Sequence, residues 1–364
     1  MTKLALVARL GGYRAAHAFA WRAQLPVNLT VSVTYSCPSR CATCDIWKKK
    51  VDDLSVEEYA RVFPTLEKVP VWVTLSGGDQ FVRADFGEVV RLVCTLIEPR
   101  IVNIPMNGII TGRIFTLLPR IASLTAGRQL VLNLSVDEIG EAHDRIRGAR
   151  GNFAKLEDVA ALIRDLKKTY GHVVLGVHTV ISRSNVHRIA EIEREARAIF
   201  RPDSYIAEVA EKRVELGTLE KDITPDTVDY RRAVAHLRGA IRAHRSKHPV
   251  ARLVESLRLE YYELSARILE ERRQVIDCYA GWASGHLAPD GHVWGCCVRA
   301  ESLGNVRDCG YDFRTVWRGP VADSFRRSVK AHECACPLAN ASYTNLLLDA
   351  RSLVRVAAHV AGAR

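Results

Sequence analysis

The sequence predicts an α/β fold: a parallel sheet with helices packed outside it, either open or rolled into a partial barrel. Three observations carry that expectation. The 364 residues suffice for one large α/β unit plus a smaller appendage. From residue 29 to about 210, six short β-rich runs alternate with amphipathic stretches, the pattern of strand–helix repeats. After Cys278 the texture changes to glycine, cysteine and aromatics around the turn Pro289-Asp290-Gly291, which reads as a small β-hairpin and helix unit.

Taken in order, residues 1–25 form a basic amphipathic helix, with Lys3, Arg9, Arg14 and Arg22 beside Leu4, Leu6, Val7, Leu10, Phe19 and Trp21. Strands are expected at 29–34, 71–75, 101–104, 130–136, 173–181 and 205–209, with helices at 55–66, 85–98, 115–124, 156–170 and 186–200. Ser55 with Glu58 spells a capping box, and Asp85 with Glu88 a looser one. Together, 26–225 make the sheet-and-helix unit. Residues 226–273 read as a charged helical connector broken near Pro249. His236, His244 and His248 recur there at helical spacing, on what reads as a solvated surface rather than a metal face. Residues 274–342 form the cysteine-rich unit, and 343–364 close the chain with one amphipathic helix over 343–360, carrying Arg351, Arg355 and His359. In such an architecture functional sites belong at the carboxyl ends of the strands.

Composition narrows the class. With 48% hydrophobic and 26% charged residues, the chain is neither disordered, collagen-like nor coiled coil. No apolar run approaches the roughly 18 residues of a membrane span. Arg9 and Arg14 interrupt any signal-peptide core, so a cytoplasmic protein is expected, with the two basic amphipathic helices able to touch the inner face of the membrane. Docking of those helices on the protein itself is the preferred reading. A formal charge of +11 suits an anionic partner, although an arginine-rich proteome is the plainer account of it.

The ten cysteines are placed unevenly. Cys37-x3-Cys41-x2-Cys44 follows the first strand, so three thiolates lie in one loop and can point at one centre. No fourth Cys or His is nearby, which argues against a closed zinc site and for a cubane iron–sulfur cluster with one open iron. This spacing resembles the signature of the radical S-adenosylmethionine (radical SAM) superfamily, and further motifs follow in that superfamily's order. Ser76-Gly77-Gly78-Asp79 resembles its "GGE" motif, Asn107-Gly108 its "TNG", and Ser135-Val136-Asp137 with His143-Asp144-Arg145-Ile146-Arg147-Gly148 its "SxDG…hDxxRG". The resemblance implies a partial (β/α)6 barrel whose 4Fe-4S cluster, held by Cys37, Cys41 and Cys44, splits SAM into methionine and a hydrogen-abstracting 5′-deoxyadenosyl radical. It implies that Ser76, Gly77, Gly78, Asp79 and Asn107 bind the cofactor. Ser135 and Asp137 would contact its ribose or carboxylate, and Arg147 the carboxylate. This chain departs from the family in Asp79, Thr43 and Glu138.

Cys278-x12-Gly291-x4-Cys296 followed by Cys334-x-Cys336 resembles the twitch or SPASM-type extension of the same enzymes, which implies one auxiliary 4Fe-4S cluster on Cys278, Cys296, Cys334 and Cys336. Cys297 and Cys309 compete for that role. A structural zinc knuckle is the competing reading. Cys94, in an apolar helical pattern, reads as a buried small hydrophobe.

Glu208, Glu211 and Arg213, at the end of the sixth strand, are the candidates for proton transfer, with a salt-bridged loop as the equal alternative. The expected substrate is a small molecule, lipid or peptide, with oxidation favoured among the outcomes. The resemblance implies an electron donor such as flavodoxin or ferredoxin. The alternative function, a zinc-stabilised nucleic-acid-binding protein, draws on the charge and the cysteines but leaves the glycine pair and the Ser135/Asp137 stretch unexplained, so no nucleic acid is expected as partner.

Overall fold

The computed structural model describes residues 3–19, 21, 23–243, 246 and 249–361. Arg22, His244, His248 and the side chains of Lys3, Leu4, Leu6 and Val7, named above, lie outside the described residues. The strands are β1 (Asn28–Thr34), β2 (Trp72–Gly77), β3 (Ile101–Met106), β4 (Gln129–Ser135), β5 (Val173–Ile181), β6 (Ser204–Val209), β7 (Ser284–Leu287), β8 (His292–Trp294) and β9 (Ser302–Asn305). The α-helices are α1 (Lys3–Phe19), α2 (Val56–Val62), α3 (Phe86–Leu92), α4 (Thr111–Leu124), α5 (Gly140–Arg147), α6 (Asn152–Thr169) and α7 (Ile189–Phe200), then α8 (Thr227–Ala243), α9 (Pro249–Glu271), α10 (Phe313–Trp317), α11 (Pro320–Lys330), α12 (Ala339–Leu348) and α13 (Ala350–Ala361).

All nine strands lie in one sheet, ordered β6-β5-β4-β3-β2-β1-β7-β8-β9. The first six are parallel to their neighbours, as right-handed strand–helix–strand crossovers require. β6 and β9 are its ends, so the sheet is not a closed barrel. The cysteine-rich segment extends this sheet. β7 pairs with β1 in parallel, Asn28 opposite Ser284 and Val31 opposite Leu287, and β8 and β9 follow antiparallel.

The apolar core runs under the sheet from Leu29, Val31 and Val33 to Leu175 and Val177, all fully buried. Helix α1 docks on it: Tyr13 is buried and donates its hydroxyl to the Leu25 carbonyl, Arg9 reaches the Val69 carbonyl at 3.1 Å, and the His17 ring lies 4.6 Å from those of Tyr279 and Trp282. At the other end, Arg355 and His359 of α13 pair with Glu260 of α9 at 2.6 and 3.0 Å. His236 sits 3.6 Å from Glu193. No helix among the described residues is long and apolar enough to cross a membrane.

Three local expectations need correction. The stretch 85–98 is not one α-helix: after Leu92 it widens into a π turn, Val93–Ile97, which carries buried Cys94. Asp85 caps nothing with its side chain, because its carboxylate accepts from Nε and Nη2 of Arg83, at 2.9 and 2.8 Å. The closing stretch is two helices. Asp349 turns extended between them and its carboxylate accepts the Ser352 N–H at 2.7 Å, a cap that starts α13 afresh.

Candidate functional site

The carboxyl ends of β1 to β6 open into one cavity of about 990 Å³, counting its open mouth. Its walls include Cys37, Cys41 and Cys44, then Ser76, Gly77 and Gly78, Asn107, Ser135 and Arg147, and finally His178, Glu208, Glu211 and Arg213. Most of the residues singled out from sequence therefore meet in one place.

The cysteine loop is held from two sides. Arg40 and Ala42 donate to the carbonyls of Arg147 and Ile146 at the end of α5, at 3.1 and 2.9 Å, and Asp45 donates to Leu216 at 2.8 Å. Gly148, with φ of 59°, ends α5 where a Cβ would meet the Arg40 carbonyl at 2.4 Å, so only glycine lets helix and loop touch. The glycine pair after β2 does the same from the other flank. A Cβ on Gly77 or Gly78 would lie 2.2 or 2.3 Å from the Thr34 or Ser36 carbonyl, while Gly78 and Asp79 donate to those oxygens at 2.7 and 2.9 Å. The close approach is thus made to the backbone leading into Cys37.

Asp79 is buried. One oxygen accepts the Phe81 N–H at 3.0 Å and the other, Oδ2, has no partner. Burial pushes its carboxyl up. Asn107 directs its amide to Cys37 Sγ at 3.8 Å. Asp137 does not line the cavity: its carboxylate binds Arg147 at 2.9 Å and the Val180 N–H at 2.9 Å, so it positions Arg147. Arg147, half-buried, keeps its buried Nε unpartnered. His143 completes this support by accepting the Asp137 N–H on Nδ1 and meeting Asn152 Oδ1 with Nε2 at 3.1 Å.

Four ionisable groups share the cavity with the cysteines. His178 and Glu208 pair at 3.3 Å. Burial opposes both charges, but each partner favours the other, which raises the histidine and lowers the glutamate. Glu211 and Arg213 pair at 3.3 Å, yet burial pushes the Glu211 carboxyl up to about 7.

A second thiol set gathers where the last quarter meets the sheet. Cys278 precedes β7, Cys296 follows β8, and Cys334 and Cys336 lie between α11 and α12. Each of Cys278, Cys296 and Cys336 is within electrostatic reach of at least one other member of the set, and burial pushes Cys278 and Cys296 up to about 11 and about 12. The two alternates turn elsewhere. Cys309 points its thiol at the carbonyls of Val306 and Asp312, 3.5 and 3.4 Å away, and Cys297 faces Glu215 and Arg213.

Comparison with known proteins fits this arrangement. Residues 31–196 match the radical SAM superfamily and 278–337 the SPASM iron–sulfur cluster-binding domain. The chain carries a radical SAM domain followed by a SPASM domain. The chain is 24% identical over 307 residues to the subtilosin biosynthesis protein AlbA of Bacillus subtilis, covering 82% of itself but only 60% of AlbA. It is 26% identical over 321 residues to the PqqA peptide cyclase of Methylocella silvestris, covering 83% of itself and 76% of that protein. Its fold matches Streptococcus suis SuiB bound to S-adenosylmethionine with a TM-score of 0.61 at 14% identity, over 83% of this chain and 68% of SuiB. The chain thus spans about three fifths of the length of AlbA.

Radical SAM proteins with a SPASM segment carry a SAM-binding 4Fe-4S cluster, SAM and an auxiliary iron–sulfur cluster, and the residues fit these groups. Cys37, Cys41 and Cys44 could hold the first cluster. Burial pushes the Cys44 thiol up to about 12, an environment that an iron ion reverses by stripping the proton. The unpartnered Arg147 Nε, on the cavity wall, offers a donor for a carboxylate group, while Asp79, buried behind the glycine pair, does not line the cavity. Cys278, Cys296, Cys334 and Cys336 could hold the auxiliary cluster.

Two features escaped the sequence reading. His178 is the one titratable residue in a valine-rich strand near its carboxyl end, a signal that was available. The cluster Glu215–His286–Cys297 was not legible, because its members meet only through the β1–β7 pairing and a loop crossing.

Proposed function

We propose that this chain is a peptide maturase that oxidises a precursor peptide by removing hydrogen from an unactivated carbon. The observation that carries the reading is the single cavity joining the three cysteines to Glu211, Arg213, His178 and Glu208. The names of its relatives support a peptide: a bacteriocin biosynthesis protein, a peptide cyclase and a sporulation killing factor maturation protein. SuiB, similar in fold, has been solved bound to a precursor peptide, SuiA.

When bound, the reduced cluster and SAM supply the 5′-deoxyadenosyl radical, and the auxiliary cluster an acceptor for one electron. The protein's own part is to place and deprotonate the substrate. Arg147, fixed by Asp137, would bind the carboxylate at SAM's methionine end, with Asp79 supporting the glycine pair beside it. Glu211 Oε2, buried and ion-paired with Arg213 at 3.3 Å, takes the proton lost as the substrate is oxidised. His178 and Glu208, paired beside it, anchor a polar backbone group of the peptide. A small flavodoxin or ferredoxin supplies the reducing electron.

The test is anaerobic incubation of the reconstituted full chain with SAM, reduced flavodoxin and candidate precursor peptides. Expected are 5′-deoxyadenosine and a peptide lighter by two hydrogen atoms. SAM cleavage that leaves every peptide unchanged while another class of molecule is oxidised overturns the peptide reading. No cleavage in cluster-loaded protein overturns the whole of it.

A further inference from the structure

Between the SAM cavity and the auxiliary cysteines lies a group that neither site uses. Glu215, His286 and Cys297 each offer one ligand atom, and these atoms lie within 4.8 Å of one another. The His286 ring is on β7, beside Ser32 of β1, and Glu215 belongs to the segment after β6. Glu215 Oε1 is 3.4 Å from His286 Nε2, and the Ser32 hydroxyl stands 3.2 Å from the former and 2.9 Å from the latter. His286 and Glu215 are only 3% and 6% exposed, and Ser32 is fully buried.

From this geometry we infer that Glu215, His286 and Cys297 form a binding site for a single borderline divalent cation, of which zinc is the type. The donor set is the first argument. One imidazole nitrogen, one carboxylate oxygen and one thiol sulfur suit zinc and exclude the hard ions magnesium and calcium, which take oxygen shells.

Charge is the second. Among the described residues, His286 is the only basic side chain paired with Glu215, and Arg213 nearby is committed to Glu211. A dication with one carboxylate, one thiolate and one neutral imidazole is neutral overall, the condition under which a buried site is stable. Spacing is the third. Bonds of about 2.0–2.3 Å at tetrahedral angles separate donors by about 3.3–3.8 Å. The carboxylate–imidazole pair already meets that spacing, and the thiol needs only a small closing movement.

Three protein donors leave the fourth corner to a water, which the Ser32 hydroxyl is placed to hold. Trp294, its ring 4.8 Å from that of His286, walls the site. The surrounding backbone is already ordered: Val214 donates to Val298 at 2.9 Å and Glu215 to Cys297 at 3.4 Å. The cation would rivet β1, β7 and the 214–216 segment together, one residue from auxiliary ligand Cys296. The inference does not depend on the substrate.

The full chain, reconstituted with iron and sulfide, is equilibrated anaerobically with Zn2+, desalted, and examined by elemental analysis and zinc X-ray absorption. About one tightly held zinc per chain is expected, with one sulfur at about 2.3 Å and nitrogen or oxygen at about 2.0–2.1 Å. Cys297→Ser, His286→Gln and Glu215→Gln are each expected to cut occupancy at least about tenfold while iron and sulfide content hold. Wild-type protein that retains no zinc overturns the site, as does zinc retained equally by all three variants. A four-sulfur shell overturns it too, by placing the zinc on Cys278, Cys296, Cys334 and Cys336. Should a variant lose iron through misfolding, the shell of the wild-type protein, one sulfur or four, still decides.

Discussion

Glu211 shows how a residue's surroundings set its chemistry. Burial lifts its carboxyl to about 7 and Arg213 pulls it back, so it changes charge near neutral pH. In the proposed role of proton acceptor it acts ionised, so the proposed peptide oxidation should rise with pH to a midpoint near 7. Arg213→Gln should move that midpoint upward, and Glu211→Gln should abolish the pH dependence along with most peptide turnover, while 5′-deoxyadenosine still forms. A rate profile for both products reads all three. Gly78 gives a steric counterpart: Gly78→Ala drives a Cβ onto the Ser36 carbonyl and should cost the chain its SAM-binding iron, read by iron analysis. Gly112→Ala, in a first helical turn with nothing within 4 Å, should instead leave iron intact and gain up to about 1 kcal/mol in unfolding experiments. At this scale the sequence was readable wherever chemistry depends on neighbours along the chain, as in Cys37, Cys41 and Cys44. Asp137 shows the limit. Its motif suggests a ligand contact, but both carboxylate oxygens go to Arg147 and Val180, a fact set by where β5 lies.

Among the elements, α2 shows a local signal recruited for a distant contact. Its capping box is present as spelled, the Ser55 hydroxyl accepting from Glu58 at 3.2 Å and Glu58 from Ser55 at 2.8 Å. The same carboxylate also binds Arg307 at 2.7 Å and the Tyr311 hydroxyl at 2.9 Å. Arg307, with the cap and the tyrosine, holds it down at about 2. Its stabilising effect is therefore complete above the ordinary carboxylate range and disappears as pH falls through about 2. Glu58→Ala should lower stability by about 1–2 kcal/mol at neutral pH, and the loss should shrink on acidification, measurable by denaturant titration at several pH values. The strands were legible because alternation and run length report burial directly. Helix α5 was not, being short, charged and begun by a glycine, and the break at Asp349 was hidden because an N-cap residue inside an apolar pattern carries no period of its own.

For the molecule as a whole, the auxiliary segment shares the sheet of the catalytic half, bonded along β1. Cys278→Ser should remove about half of the iron while SAM cleavage continues and oxidised peptide falls steeply, since the cysteine loop is braced by α5 and the 216 segment rather than by the auxiliary set. Iron analysis beside both product assays tests this. Sequence announced both halves through their cysteines but not their union, because two strands more than two hundred residues apart leave no local mark of pairing. That union has a consequence for biosynthesis. On the ribosome, the first strand emerges long before its second neighbour, residues 284–287, has been translated, and until then one flank of it lies bare and prone to mispairing. The nascent chain therefore calls for shielding late into its own synthesis, and a partner or chaperone that covers that flank would govern how much iron-loaded protein a cell obtains.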